Sequence, residues 1–313
     1  MTPSKAALDV AAEPTSATRP PILMIGNNKG GVFKTGTVVQ LAAALARKGL
    51  RVLVIDFDPQ ANATRRLGIT MDPNNPIATA SEAVAANAEG VGEDATVPCG
   101  WTNDAGTPTT EAQLIDVIPS RIDLSNRESE AGAVGAIRRL QKALAGEWLA
   151  KYDVVLIDTR PSLGHLVQMA MAASDHVILV TDPMFDGVDG ALKVANFVSE
   201  HAVDMHNPNL KVSAVLVARF KGTAENRYQV EGLKEAFGDR VWALEVPATR
   251  KENGKEVPTV IDWIPEWTRF SEADGAGVSL SAWTDKKGRA PIQLFDVLAE
   301  RVIREFVDVE LAA

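Results

Sequence analysis

Uninterrupted apolar runs alternate along this chain with longer segments in which apolar residues recur at helical spacing. The first run, Ile22-Leu23-Met24-Ile25, precedes a helix-like stretch that begins near Val38. Further runs predict strands at 51–56, 114–118, 153–158, 176–181, 212–218 and 241–246, and the segments between them predict helices at 36–48, 127–149, 187–201 and 225–237. Continuous apolar strands are typical of a parallel sheet that helices cover on both faces. The pattern therefore predicts an α/β fold with a mostly parallel, twisted sheet.

The chain of 313 residues is long enough for one large α/β domain or two small ones. The alternation persists almost to the end, which favours a single domain. Residues 1–20 are rich in Ala, Thr, Ser and Pro without the apolar core of a signal peptide, so they predict a disordered leader before a domain at 21–313. Surface insertions are predicted near 87–110 and 248–267, where turn-forming and charged residues accumulate.

A glycine-led turn lies between the first predicted strand and helix, with the sequence Lys29-Gly30-Gly31-Val32-Phe33-Lys34-Thr35. Backbone N–H groups of such a turn, together with the N-terminal end of the next helix, can converge on phosphate oxygens. Gly30 and Gly31 allow a close approach of the backbone. Lys34 is then placed to neutralise the β- and γ-phosphates, and the Thr35 hydroxyl to ligate Mg²⁺. Phe33 breaks the ordinary pattern, which has Gly immediately before Lys-Thr, so a turn that binds nothing is the alternative.

Carboxylates stand at the ends of two later apolar strands. Asp56 ends the second predicted strand, with Asp58 two residues further on, and Asp158 ends the run at 153–158. Ligands of parallel sheets bind outside the carboxyl ends of the strands, so these side chains are expected on the edge that carries the glycine-led turn. A helix cap or turn former is the alternative for any one of them. Three such residues on one edge favour a nucleotide site.

Three motifs together closely resemble the ParA/MinD family of deviant Walker A (P-loop) ATPases, and within it the ParA/Soj-type DNA partition ATPases. They are the loop at 29–35, the segment from Asp56 to Thr64 and the segment from Asp158 to Gly164. The resemblance implies a single-domain P-loop NTPase fold and a Mg²⁺-dependent ATPase. Two residues depart from the family pattern: Gly36 stands where a second Thr or Ser is usual, and Arg160 where a proline is usual. The position of Phe33, in contrast, varies within the family motif.

The resemblance also implies a role for each site residue. ATP is expected to contact Lys29, Gly30, Gly31, Val32, Phe33, Lys34, Thr35 and Gly36, and Mg²⁺ is expected near Thr35, Asp56 and Asp158. The predicted catalytic residues are Lys29, Lys34 and Asp58. Lys34 binds the phosphates of its own subunit, Lys29 reaches across a dimer interface to the partner's ATP, and Asp58 orients the attacking water. Phosphoryl transfer depends mainly on such positioning and charge neutralisation.

In this family, ATP favours a sandwich homodimer that binds DNA without sequence preference, and a ParB-like protein or another cargo adaptor stimulates the hydrolysis that releases it. The resemblance therefore implies a cytoplasmic, nucleoid-associated protein. Because the net charge of this chain is −9, any DNA surface must be local. The candidate side chains form three clusters: Arg219, Lys221 and Arg227; Arg250, Lys251 and Lys255; and Lys286, Lys287 and Arg289. Ordinary solvated charge is the alternative for each cluster.

The sequence is also compatible with two other functions. A MinD-like positioning ATPase would need an amphipathic membrane helix at the C-terminus. The segment from Leu294 to Phe306 does have apolar residues at helical spacing, but an acidic segment follows it, so a packed terminal helix is the simpler interpretation and no membrane partner is expected. A metabolic ATP-dependent ligase is the second alternative.

The single cysteine, Cys99, excludes a disulfide framework and an iron–sulfur reductase, which needs several thiolates.

Overall fold

The computed structural model describes residues 19–252, 255–283 and 286–307, without the side chains of 247–252, 255–257 and 286–288. The predicted leader therefore lies outside the described residues as far as position 18. Elements are numbered below in chain order.

A mixed but mostly parallel sheet forms the centre of the molecule. Within the described ranges its strands are β1 (Ile22–Gly26), β2 (Val52–Phe57), β3 (Val97–Pro98), β4 (Ile115–Ile118), β5 (Val154–Thr159), β6 (His176–Thr181) and β7 (Lys211–Val217). Their order across the sheet is β3-β4-β2-β5-β1-β6-β7, and every neighbouring pair is parallel except β3 with β4. The predicted fold class is confirmed.

Helices cover both faces of this sheet. They are α1 (Lys34–Arg47), α2 (Asn62–Arg66), α3 (Ala80–Ala86), α4 (Arg139–Ala143), α5 (His165–Ala173), α6 (Phe185–His201), α7 (Ala224–Phe237), α8 (Thr268–Ala276) and α9 (Lys286–Phe306). Because successive strand residues point to opposite faces, Leu23 of β1 packs into a core with α1 and α9, whereas Met24 packs into a second core with α5, α6 and α7. The chain thus forms one three-layered α/β unit.

The strand register brings the predicted functional residues to one edge. β5 lies between β1 and β2, and Asp158 is paired in register with Ile25 on one side and with Asp56 on the other. The loop that leaves β1 and the carboxylates that end β2 and β5 therefore emerge side by side. This edge is the one that sequence reasoning predicted.

The long helix predicted at 127–149 is wrong. The structure has short 3₁₀ segments at Ile122–Glu130, Ala136–Arg138 and Glu147–Lys151, with only α4 between them. Gly135 and Gly146 adopt φ angles of 71° and 101°, which α-helical backbone does not allow. Glycines in the predicted helix were therefore the signal of its interruption.

Two segments near the predicted insertions also differ from expectation. The strand predicted at 241–246 contacts the main sheet only through a bridge between Val241 and Val215, and the chain then forms β8 (Leu244–Glu252) and β9 (Lys255–Ile261), an antiparallel pair separate from the main sheet. In the predicted insertion at 87–110, Cys99 and Trp101 are buried in the core. The Trp101 indole N–H donates a hydrogen bond to the Arg66 carbonyl.

The last helix buries its apolar face inside the protein. Phe295, Leu298 and Val302 of α9 are fully buried in the core that α1 shares. The interpretation of this segment as a packed terminal helix is confirmed. None of the helices in the described part of the chain combines the length and apolar character that crossing a bilayer requires.

Candidate active site

The loop between β1 and α1 has the tight backbone expected of a phosphate-binding turn. Gly31 and Phe33 both have left-handed backbone conformations, with φ angles of 77° and 79°. Glycine adopts this conformation without strain, whereas a residue with a Cβ does not. The ordinary motif has Gly at the position of Phe33, and the geometry shows the physical reason. This chain keeps the turn and tolerates the strain.

Phe33 and Gly36 fit together sterically. The ring of Phe33 folds over the first turn of α1, so that a Cβ atom at position 36 would lie 2.2 Å from its Cε2 atom. Side chains do not approach one another this closely. The two departures from the usual loop pattern are therefore linked, because the ring occupies the space that a Thr or Ser at position 36 would need.

Lys34 is folded back onto the loop. Its Nζ donates a hydrogen bond of 2.9 Å to the carbonyl of Lys29, and the residue is only 6% exposed. Burial lowers the pKa of Lys34, while the nearby carboxylates of Asp158 and Asp58 act in the opposite direction. The ammonium group therefore already lies between the loop backbone and the acidic strand ends.

Lys29 has a different setting. Its Nζ forms an ion pair of 3.3 Å with Asp182, which follows β6, and its backbone N–H donates to Oδ1 of Asn27. Helix α6 approaches this segment so closely that a Cβ atom on Gly190 would lie 2.4 Å from Oδ1 of Asn27. The side chain of Lys29 is thus held beside β6, away from Lys34.

The two carboxylates at the end of β2, Asp56 and Asp58, have separate tasks. Asp56 is fully buried and accepts hydrogen bonds from the backbone N–H and the hydroxyl of Thr64, both at 2.7 Å, and from the backbone N–H of Asp58. Asp58 accepts one from the N–H of Gln60 and faces a cavity next to the loop. Asp56 therefore supports the segment that presents Asp58.

Asp158 is a buried carboxylate whose two oxygens have no hydrogen-bond partner of good geometry among the described residues. Burial, and then the charge of Asp56, raise the pKa of Asp158 to about 8, although the Thr35 hydroxyl and Lys34 lower it. Burial similarly raises the pKa of Asp56 to about 6. A paired, incompletely satisfied set of oxygens beside a threonine hydroxyl suits a hard cation such as Mg²⁺.

The protein alone offers this cation few ligands. Within the described part of the chain, no group of three or more His, Cys, Asp or Glu side chains is arranged to hold a metal ion. Mg²⁺ usually keeps waters and takes phosphate oxygens as ligands, so a site with a hydroxyl and nearby carboxylates fits the ion when a phosphate is present.

A cavity of about 400 Å³ opens beside the loop. Of the predicted site residues it is lined by Gly30, Gly31, Phe33, Lys34, Thr35, Gly36 and Asp58. Lys29, Val32, Asp56 and Asp158 do not line it. Val32 is fully buried and can contribute only its backbone to a ligand. The cavity brings together the loop and one acidic strand end, while the other predicted residues lie behind or beside it.

The opposite wall of the cavity comes from the segment at 265–274, which sequence reasoning did not assign to the site. Trp267 and Phe270 are its aromatic members, and the Phe270 ring lies 4.7 Å from that of Phe33. At the rim, Arg66 and Asp274 form an ion pair of 3.1 Å. Two aromatic residues three positions apart near the start of a helix could have indicated this wall from the sequence. Trp267 on its own, however, is most simply interpreted as a buried tryptophan.

Arg219, one of the predicted DNA contacts, lies at the candidate active site. Its Nη1 donates to the carbonyl of Gly31 at 2.6 Å, and its Nε and Nη2 bind Glu266, which also pairs with Lys221. The guanidinium group therefore lines the cavity and joins the phosphate loop to the opposite wall.

The other DNA candidates divide in two. Arg227 on α7 and Arg289 on α9 are exposed. The side chains of Arg250, Lys251, Lys255, Lys286 and Lys287 lie outside the described residues.

Comparison with known proteins places this geometry in a family. A family model described as an AAA domain matches residues 21–212, which contain the phosphate loop and both acidic strand ends. Soj of Bacillus subtilis, a sporulation initiation inhibitor protein, is 35% identical over 229 residues, covering 72% of this chain and 83% of Soj. The chain belongs to the ParA/MinD family of P-loop ATPases.

Two further proteins are similar to this chain, one in sequence and one in structure. The chromosome partitioning protein ParA of Myxococcus xanthus is 33% identical over 236 residues, covering 72% of this chain and 75% of that protein. Cobyrinic acid a,c-diamide synthase of Mycobacterium smegmatis, solved with a bound ATP analogue and magnesium, is 25% identical with a TM-score of 0.64 and covers 91% of this chain and 96% of that one.

Proposed function

We propose that this protein is a ParA-type positioning ATPase that hydrolyses ATP with Mg²⁺ and uses the ATP-bound state to hold a cargo on DNA. The observation that carries the proposal is the shared edge of β1, β2 and β5. There a phosphate loop with Lys34 faces Asp58 and lies beside the unsatisfied carboxylate of Asp158. Membership of the family and the ATP-analogue and magnesium complex of a similar protein support the choice of ligand.

Within that site each side chain has a proposed task. The loop backbone and Lys34 bind the phosphates. Thr35 would ligate Mg²⁺ and Asp158 would hold it through water, and the bound ion would supply neutralisation of charge on the phosphates. Asp56, which is occupied by Thr64, supports the water shell only indirectly. Asp58 faces the cavity and orients the attacking water. These roles place binding on the loop and hydrolysis on the end of β2.

We further propose a nucleotide-dependent homodimer in which Lys29 contacts the ATP of the other subunit. The ion pair with Asp182 then represents the resting position of Lys29, because an ammonium held there does not reach its own phosphate site. Hydrolysis removes the γ-phosphate on which such an interface depends. Residues 21–313 are proposed to act as one ATPase domain in this assembly.

DNA binding is proposed as non-specific and as a property of the dimer, with the nucleoid as the place of action. The relationship to proteins named for chromosome partitioning supports it. The candidate contacts are Arg219, Lys221, Arg227 and Arg289, together with the three basic side chains from 250 to 255 and the pair at 286 and 287. A ParB-like protein or another cargo adaptor is the proposed stimulator of hydrolysis.

Three measurements on the purified chain test this function. With Mg-ATP we expect slow phosphate release, a doubling of mass by light scattering, and co-sedimentation with plasmid DNA that weakens as salt rises. ADP in place of ATP is the control for the last two. Hydrolysis that is absent under all conditions would refute the proposal.

The alternatives give different results in the same assays. Co-sedimentation with anionic vesicles but not with DNA would indicate a MinD-like positioning ATPase, although the buried apolar face of α9 offers no membrane contact. Turnover that depends on an added carboxylic acid acceptor and ignores DNA would indicate an amide-forming enzyme, as the name of the Mycobacterium smegmatis protein suggests for that protein.

A further inference from the structure

The strained residue of the phosphate loop needs an explanation of its own. Phe33 adopts a left-handed backbone with φ of 79°, where glycine would be free of strain. Non-glycine residues persist in this region when a compensating interaction holds them, and such positions cluster at ligand sites. The interaction of the Phe33 side chain should therefore be one that glycine cannot supply.

Two contacts account for the position of the ring. On one side the ring covers Gly36, and a Cβ atom there would lie 2.2 Å from the ring. On the other side it packs against Phe270 at a centroid distance of 4.7 Å. Phe33 is only partly buried, and it lines the cavity together with Phe270 and Trp267. The ring is thus fixed by protein on two sides and still presents surface to a ligand.

Two kinds of lining meet in the cavity. Gly30 and Gly31 with Lys34 offer backbone and charge that suit phosphate. Trp267 and Phe270 offer aromatic surface, and the ion-paired Arg66 and Asp274 line the cavity as well. Phe33 belongs to the loop in sequence, but its ring packs against the aromatic residue Phe270. Planar aromatic surface bounded by polar groups suits a nucleobase.

We propose that Phe33 is a specificity-determining residue that contacts the nucleoside part of the bound nucleotide, and that Gly36 is required to make room for it. The proposal rests on the proposed function, because it presumes a nucleotide in this cavity. Binding then depends on the nucleoside through an apolar contact that replaces any hydroxyl contact from position 36.

The test compares ligands that share the triphosphate and differ in the rest. Displacement of a fluorescent ATP derivative by ATP, CTP and inorganic tripolyphosphate, each with Mg²⁺, gives relative affinities for the wild type and for Phe33→Ala. We expect Phe33→Ala to weaken ATP about tenfold, CTP less, and tripolyphosphate less than about twofold, as base stacking on an aromatic side chain predicts. Equal losses for all three ligands, or no loss for ATP, would overturn the proposal.

A second set of variants tests the link between the two positions. Gly36→Thr should weaken both ATP and tripolyphosphate, because the new side chain displaces the ring and with it the loop, and Phe33→Gly/Gly36→Thr should recover most of the affinity for tripolyphosphate. The double variant should also bind ATP and CTP with more similar affinities than the wild type does. A double variant that binds no better than Gly36→Thr while unfolding at the wild-type temperature would contradict the steric link.

Folding and function have their own controls. If Phe33→Ala does not fold, Phe33→Leu replaces it, because leucine keeps apolar volume over Gly36 without an aromatic face; the same ordering of losses supports the proposal and equal losses overturn it. A wild-type chain that binds none of the three ligands would refute the proposed function instead. The two failures are therefore distinguishable.

Discussion

The cavity has two walls of different construction. The loop wall, residues 30–36, offers backbone N–H groups and one lysine from a single short turn between β1 and α1. The aromatic wall, residues 265–274, offers side chains from a segment that reaches the site only after the chain has completed the sheet. The first wall recognises phosphate through backbone geometry, which many sequences can produce. The second wall recognises the part of a ligand that fits its side chains.

The difference assigns affinity and selectivity to different parts of the chain. Damage to the loop wall should weaken every phosphate-bearing ligand alike. Damage to the aromatic wall should affect only ligands with a base. Phe33 is where the walls meet, since it belongs to the loop and packs on Phe270.

Lys34→Ala should remove the central cation of the loop wall. We expect the affinity for Mg-ATP and for tripolyphosphate to fall by about 100-fold or more, because a charge-assisted contact to phosphate is lost. Isothermal titration calorimetry measures both ligands. Lys48→Ala is the matched control, since Lys48 ends the same helix and pairs with Glu300 on the surface. A selective loss of ATP alone would contradict the division.

Lys29→Ala should separate binding from assembly. Because the Lys29 ammonium is held by Asp182 outside the cavity, we expect ATP affinity to change less than about threefold while the ATP-dependent increase in mass is lost. Light scattering with ATP and ADP makes the measurement. Asp182→Asn serves as the control, because it releases Lys29 and should preserve the mass increase. Identical behaviour of the two lysine variants would refute their separate roles.

Trp267→Leu should damage only the aromatic wall. Loss of one aromatic surface predicts about fivefold weaker ATP with unchanged tripolyphosphate. Trp263→Leu is its control, since Trp263 stacks on Phe220 at 3.8 Å and does not line the cavity. If both variants weaken tripolyphosphate, the aromatic wall would be acting through the fold.

Asp158→Asn should change the free energy of unfolding rather than the fold. The raised pKa of Asp158, about 8, means that the unfolded chain releases this proton at lower pH than the folded one. In the absence of nucleotide and Mg²⁺, this group therefore lowers the free energy of unfolding as pH rises from about 4 to about 8. We expect Asp158→Asn to raise the unfolding temperature at about pH 9 and to have little effect at about pH 4. The opposite pH trend would contradict the assignment of a carboxylate whose pKa is raised by burial.

The two walls also differ in how far sequence predicts them. Residues 29–35 lie just after β1 and Asp158 lies near the end of β5, so a local pattern and the rule for parallel strand ends were sufficient to place them together. Trp267 and Arg219 reach the cavity through packing between distant segments, which no local pattern encodes. The coupling of Gly36 to Phe33 required coordinates, because each alone looks like an independent departure from the motif.

ATP hydrolysis by the Asp58→Asn variant is the most direct test of the proposal that Asp58 orients the attacking water. Asp58 faces the cavity, whereas Asp56 behind it is occupied by Thr64, so Asp58 alone at the end of β2 can orient a water there. Phosphate release and Mg-ATP affinity are measured together for the wild type and the variant. We expect the variant to bind Mg-ATP with near-wild-type affinity and to release phosphate about 100-fold or more slowly. Equal phosphate release by the two proteins would contradict it.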